Sequence, residues 1–316
     1  MNEYYPILTP VLTVFLVIGA GFAVRWTGVL NPVADQSLFR VVVNLFYPCL
    51  ILDAMVGNAA LRQPGLSLLA PLICLVTILA GVGVGWLGAP LAGLAAGAER
   101  RTFAATAGLY NYSFFAIPVL LALFDLKTVG VCFAYNMGAE LSLWTIIAWL
   151  LRGGSPARDW RKILNAPLAA ILLGLLLNGF PVRDATPVFI WTTVAMLGKC
   201  TIPLGLMLVG VSFYDFLLDG PGELLKHKRV SLVALLCRSL LLPLAMITLA
   251  RYAPVPLVLK RVLVVQAAMP AAVFPVAMVR HYGGHLPTAL RVVLVTTAFG
   301  LLTVPLWIHL GLRWIE

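Results

Sequence analysis

Apolar residues in this chain come in long runs rather than in stripes. Read as helices, ten such runs cover roughly Pro6 to Val24, Ser37 to Val56, Leu66 to Leu87, Phe103 to Phe124 and Thr128 to Leu150. The other five cover Ile163 to Phe180, Pro187 to Phe213, Val230 to Ala250, Leu257 to Val279 and Leu286 to Leu310. About 20 mainly apolar residues are needed to carry a helix across a bilayer. The second and sixth runs are short for that task. The pattern predicts an all-α polytopic membrane protein with ten transmembrane helices.

Prolines inside these runs repeat. Pro10 and Pro167, Pro48 and Pro203, and Pro118 and Pro275 are separated by 157, 155 and 157 residues. Three pairs at nearly one offset predict two halves on one plan: 1–151 with five helices, a short linker 152–162, and 163–316 with five more. An odd number of crossings per half makes the second repeat enter the membrane in the opposite sense. Pro-interrupted helices at matching places in two such halves are the sequence outline of a secondary transporter working by alternating access.

Composition agrees with the membrane reading. The 316 residues are 61% hydrophobic and 11% charged, with mean hydropathy +0.99. A soluble domain is about half apolar and about a quarter charged, so this chain cannot cover a water-facing surface. The start, MNEYYPILTP, lacks a basic region and a small-residue cleavage site, so no cleaved leader is expected. Connections after odd-numbered spans hold thirteen of the 22 Lys and Arg residues and the others seven, with Lys199 and Arg238 inside spans. By the positive-inside rule the odd connections are cytoplasmic and both termini lie outside the cell membrane. The net charge of +10 is thereby a loop property, and no nucleic-acid partner is expected.

The fourth span reads GLYNYSFFAIPVLLALF and the ninth VVQAAMPAAVFPVAMVRHYGG. Pro118 and Pro275 remove a backbone donor and clash with the carbonyl four residues back. In hydrocarbon such freed groups must face protein, water or ligand. Two unwound stretches at matching depth would meet near the midplane, where half-helix N-termini suit an anion. Pro48 and Pro203 are read as kinks or hinges.

At these residues the chain resembles the auxin efflux carrier family, including its bacterial members called malate permeases. The resemblance rests on LFYPCLIL around Pro48, NYSFFAIPVL from Asn111 to Leu120, NAPLAAILLGLLLNGFP from Asn165 to Pro181 and LGKCTIPLGLMLVG from Leu197 to Gly210. It continues with MPAAVFPVAMVRHYGG from Met269 to Gly284 and a late TVPLW. It implies two inverted five-helix repeats with crossed, broken fourth and ninth helices, and export or exchange of a small organic anion such as a mono- or dicarboxylate. It also implies a crossover at Pro118 and Pro275 with Asn111 as a polar substrate contact, and Ile117, Gln266 and Val273 complete the expected substrate site. The long hydrophilic central loop of plant members is missing. The sodium/bile-acid symporter fold is similar too, which keeps a sodium- or proton-coupled symporter open as an alternative, although no dense acidic and amide cluster resembles its sodium sites.

Charges inside spans are costly and usually face partners or a cavity. Glu140 and Lys199 fall near mid-span and are expected to pair, either beside the substrate path with Glu140 exchanging a proton, or as a structural ion pair. Asp53 lies near the outer end of its span, at an entrance or interface. Arg238 either snorkels to head groups or draws anions inward. Tyr110, Tyr112, Asn44 and Asn136 are expected to bond to neighbouring helices. His281 and His285 have no acidic companions in sequence and are read as loop residues, not metal ligands. Cys49, Cys74, Cys132, Cys200 and Cys237 sit in apolar runs as packed small hydrophobes. The chain shows no nucleotide loop, catalytic triad or zinc spacing. No enzyme activity, cofactor or metal is expected. A membrane-embedded sensor is the other alternative, although the loops leave no room for an output domain. The expected partners are the organic anion, the lipid bilayer and, as a candidate, a second copy forming a homodimer.

Overall fold

The computed structural model describes residues 5–63, 65–94, 96–154, 163–219 and 227–316. Among them the chain is all α, with one isolated antiparallel bridge between Tyr110 and Ala271. Seven helices are long and apolar enough to cross a membrane: Tyr5–Trp26, Pro32–Met55, Leu66–Ala92, Leu126–Leu151, Val188–Leu218, Lys228–Tyr252 and Leu286–Ile315. The other three predicted spans take different forms. The sixth is a shorter apolar helix, Ala166–Asn178. The fourth is split into Gly97–Gly108 and Ala116–Leu123, and the ninth into Leu257–Ala268 and Phe274–Tyr282.

Helix starts follow local chemistry. The second helix begins earlier than its apolar run, because Asn31 accepts from the Ala34 N–H at 2.9 Å with Pro32 in the first turn. The fifth begins behind Asp125, which accepts from the Thr128 N–H at 2.7 Å and its hydroxyl at 2.8 Å. The sixth begins behind Asn165, which accepts from the Leu168 N–H at 2.9 Å. The fourth starts at Gly97 rather than Phe103, since GAERR forms helix ahead of the apolar run. The region read as a connection after Phe213 stays helical to Asp219. Residues 220–226 and most of the predicted linker 152–162 lie outside the described residues. Three helices carry a π-helical turn, at Val42–Phe46, Leu143–Ile147 and Leu236–Leu241.

Small residues set the packing. Gly21 lies on the Met207 backbone, and Gly210 on the backbone of Ile18 and Phe22, so the first and seventh helices touch main chain to main chain. Gly81 and Gly108 face each other in the same way, and Gly85 rests on Ala104. Between membrane helices, where lipid is as apolar as the protein, such close approach supplies much of the attraction. The fifth helix is the most enclosed of the seven. It carries Phe133 and Tyr135 into a core with Phe103, Phe115, Ile117 and Val262 to Val265. The two helix breaks lie within this core, where Leu109, Tyr110, Met269 and Ala271 are fully buried.

Candidate functional site at the helix crossover

The broken segments cross antiparallel. The Asn111 N–H donates to the Pro270 carbonyl at 2.8 Å, and the Ala272 N–H donates to the Leu109 carbonyl at 2.9 Å. Each break thus satisfies the other's freed backbone groups, which hydrocarbon would leave orphaned. The Ala271 N–H donates to the Thr296 hydroxyl at 3.2 Å, tying the crossing to the last helix.

Side chains from both halves close around it. Gln266 is fully buried, and its Nε2 donates to the Tyr112 carbonyl at 3.1 Å and to Asn136 Oδ1 at 3.1 Å, and contacts Cys132 Sγ at 3.2 Å. Asn136 Nδ2 donates to the same Tyr112 carbonyl at 3.0 Å. The Gln266 Oε1 atom has no partner among the described residues. The Asn111 backbone is engaged as above, while its buried side chain makes no hydrogen bond among the described residues. Ile117 and Pro275 are buried, and Pro118 and Val273 are half-buried at the starts of the second half-helices. The six expected site residues therefore gather at the two breaks.

A hydroxyl cluster lies beside them. Tyr110, Tyr135 and Thr77 hydroxyls share hydrogen bonds, with Cys74 Sγ 3.4 Å from the Tyr110 oxygen. Ser113 donates to the Tyr47 hydroxyl at 2.6 Å.

Arg238 is not a snorkelling residue. It is 1% exposed, in the π-helical turn Leu236–Leu241. Its guanidinium donates to the Met269 carbonyl at 2.9 Å and the Ala267 carbonyl at 2.7 Å, and lies 3.5 Å from the Gln266 carbonyl. These are the carbonyls at the C-terminal end of Leu257–Ala268, where a helix concentrates negative partial charge. The guanidinium carbon lies 5.2 Å from the Tyr110 ring centre. Nη1 has no partner, and no carboxylate pairs with Arg238 among the described residues.

The expected Glu140–Lys199 pair does not form. Glu140, 7% exposed, accepts from the Tyr112 hydroxyl at 2.9 Å and from Asn165 Nδ2 at 2.8 Å. Lys199 is exposed at the end of Val188–Lys199, where its charge suits a helix C-terminus. Asp53 pairs with Arg183 at 2.7 Å, and Arg183 also covers the Trp191 ring at 4.8 Å. That pairing anchors the start of the second half to the second helix and stands apart from the crossover. Asn44 donates to the Arg40 carbonyl within its own helix, not to a neighbouring helix. His285 has an acidic neighbour after all, since Glu99 Oε1 lies 3.5 Å from its Nε2. All five cysteines are free, and no metal-ligand cluster occurs among the described residues.

Sequence reasoning placed the breaks but missed what holds them. Nothing in the sequence marked Asn165 as the partner of Glu140. Tyr135 and Thr77 gave no signal beyond being polar groups in apolar runs.

Comparison with known proteins gives the family. A family model described as membrane transport protein matches the chain twice, over residues 6–159 and 156–308. The two matches cover both halves, consistent with a repeat. An uncharacterised transporter of Methanothermobacter thermautotrophicus is 29% identical over 206 residues, covering 63% of this chain and 67% of the relative. An uncharacterised transporter of Methanocaldococcus jannaschii is 23% identical over 305 residues, covering 94% of this chain and 96% of the relative.

Proposed function

The chain belongs to the membrane transport protein family, the auxin efflux carriers, and from that premise we propose that it carries a small organic anion across the cell membrane by alternating access at the crossover. It is a multi-pass membrane transporter and not an enzyme. In this reading ten spans form two inverted five-helix repeats, 1–151 and 163–316, joined by the linker 152–162, with both termini outside. The positive-inside count supports that orientation.

One observation carries the anion assignment. Arg238 is a buried cation beside both breaks, with one guanidinium nitrogen unpartnered and no acid to neutralise it among the described residues. This buried cation, near the Asn111 amide, favours a counter-charged guest, and the unpartnered Gln266 oxygen would accept a hydrogen bond from a donor on that guest. A single fixed cation suits a monocarboxylate better than a dicarboxylate. Rocking of one repeat against the other would expose this site to each side in turn.

The test is flux in proteoliposomes holding the purified chain, with a panel of mono- and dicarboxylates. Faster uptake against an opposing gradient of the same solute is the expected carrier signature. Flux indifferent to solute on the far side would mark a channel, and no flux of any carboxylate would remove the anion assignment.

A second reading, proton coupling, is favoured by Glu140. This buried carboxylate touches Tyr112, whose carbonyl anchors Gln266 and Asn136. Its protonation would alter a bond one residue from Asn111.

A further inference from the structure

A second polar site lies at one end of the molecule, away from the crossover. A cleft of about 530 Å³ is lined by Ala92 to Leu94, Glu99, His227 to Val230, His285, Pro287, Thr288 and Arg291. These residues come from the connections after the third, seventh and ninth spans, which emerge on the same side. Three helices start there: Gly97–Gly108, the Lys228 helix and Leu286–Ile315. None of the three has a side-chain cap, in contrast to the starts at Asn31, Asp125 and Asn165. Helix N-termini present free N–H groups and the positive end of the helix dipole.

The side chains add to that field. Among the described lining residues Lys228, Arg229 and Arg291 are basic, with His227 and His285 beside them, and Glu99 is the one carboxylate. His285 is held in place by Thr288 at 2.8 Å, by its own N–H donating to Thr102 at 3.0 Å, and by Glu99. Lys228 and Arg229 are exposed. Exposed leucines lie on the elements that border the cleft. Leu91 is 69% exposed, Leu232 68% and Leu236 40%, on the two elements whose ends line it.

We propose that this cleft binds the phosphate of an anionic membrane lipid, with the acyl chains lying along Leu91, Leu232 and Leu236. A phosphate group matches what the three uncapped helix starts and the basic side chains offer. Basic pockets between membrane helices are suited to lipid head groups. The leucine flank selects a lipid over a free phosphate, because a soluble anion would gain nothing from it. A lipid seated there would join the start of the eighth helix, which carries Arg238, to the last helix, which carries Thr296. The site would thereby couple the surrounding bilayer to the crossover.

The experiment uses the full chain in detergent. Native mass spectrometry would count retained phosphatidylglycerol against phosphatidylcholine. Thermal unfolding would be followed with each lipid and, separately, with inorganic phosphate. The variant Lys228→Gln with Arg229→Gln changes two exposed side chains, and Lys127→Gln, exposed at the opposite end, is the control. Removing two basic groups near a lipid surface should weaken phosphatidylglycerol retention about tenfold or more, while the control and the lipid-free unfolding temperature stay unchanged. Equal retention of the two lipids, or full retention by the double variant, would overturn the site. Stabilisation by inorganic phosphate equal to that by phosphatidylglycerol would overturn the lipid as its source. Carboxylate flux need not change in any of these outcomes, so the transport reading stands or falls separately.

Discussion

Arg238 donates to the Met269 carbonyl at 2.9 Å, so a cation on the eighth helix caps the broken end of the ninth. The contact joins two demands. The break needs donors for its stranded carbonyls, and the proposed anion transport needs positive charge at the break. One guanidinium meets the first with some of its five N–H groups and leaves Nη1 for the second.

Arg238→Met should therefore lose both stability and transport. It would strand carbonyls in a buried site, and each buried group left unsatisfied costs about 1–3 kcal/mol. Arg238→Lys keeps the charge but not the planar fork. It should fold better than Arg238→Met and carry anion with weakened affinity. Unfolding temperature in detergent and concentration-dependent uptake separate the two effects. Wild-type uptake by Arg238→Met would move the anion site elsewhere.

Asn111→Ala should weaken substrate binding with little effect on folding. The Asn111 backbone N–H, which alanine retains, makes the crossing bond to Pro270. Isothermal titration of a transported carboxylate checks it, and unaltered affinity would place the pocket away from this amide.

Gln266 and Asn136 converge on the Tyr112 carbonyl at 3.1 and 3.0 Å. Gln266→Leu and Asn136→Ala should each destabilise the protein by about 1–3 kcal/mol. They should also be non-additive, with a coupling of about 0.5–3 kcal/mol in a double-mutant cycle. Additive losses would mean that the shared acceptor is energetically idle.

Glu140→Gln preserves shape and can still accept from Tyr112. If Glu140 carries the coupling proton, flux in this variant should no longer change between two pH values while folding is intact. A pH profile identical to that of the parent would leave Glu140 as packing alone.

Asp125 lies outside the spans, and its carboxyl is held below the usual carboxylate range. The Thr128 N–H that it accepts is the main cause, helped by the Thr128 hydroxyl, Lys127 and Arg261. A depressed native value means that this cap stabilises the fold above the unfolded-state value of about 3.9. The contribution fades as pH falls through the lower native value. Asp125→Ala should cost about 1 kcal/mol near neutrality, with the gap to the parent closing as pH falls from the unfolded-state value through the lower native one. Equal unfolding temperatures at pH 7 would remove Asp125 as a cap.

Gly210→Leu should prevent correct folding, because a side chain there meets the backbone of Ile18 and Phe22. Gly19→Leu, two positions from Gly21 but with open space around it, should be tolerated. Size-exclusion profiles in detergent distinguish them.

Much of the architecture was readable from residue order because lipid is an unforgiving solvent. Long apolar runs have few other uses, and a proline in such a run marks a place where the helix can break, although Pro10, Pro71 and Pro305 sit inside continuous helices. The repeat offset of Pro118 and Pro275 located both halves of the crossover. Partner choice was not readable in the same way. Glu140 and Lys199 share a mid-span position along the sequence, yet the rotation and tilt of their helices give Glu140 to Tyr112 and Asn165 and leave Lys199 at the surface. Arg238 looked close enough to a span end to reach head groups, until the packing of the eighth helix on the ninth turned it inward.

The chain alone thus settled its solvent and its apolar segments, which follow from local composition, and it marked the two breaks through the repeated placement of Pro118 and Pro275. Tertiary packing decided which buried charges meet which carbonyls. That outcome depends on helix azimuth and on backbone contacts such as Gly81 with Gly108, set jointly by residues far apart in the chain.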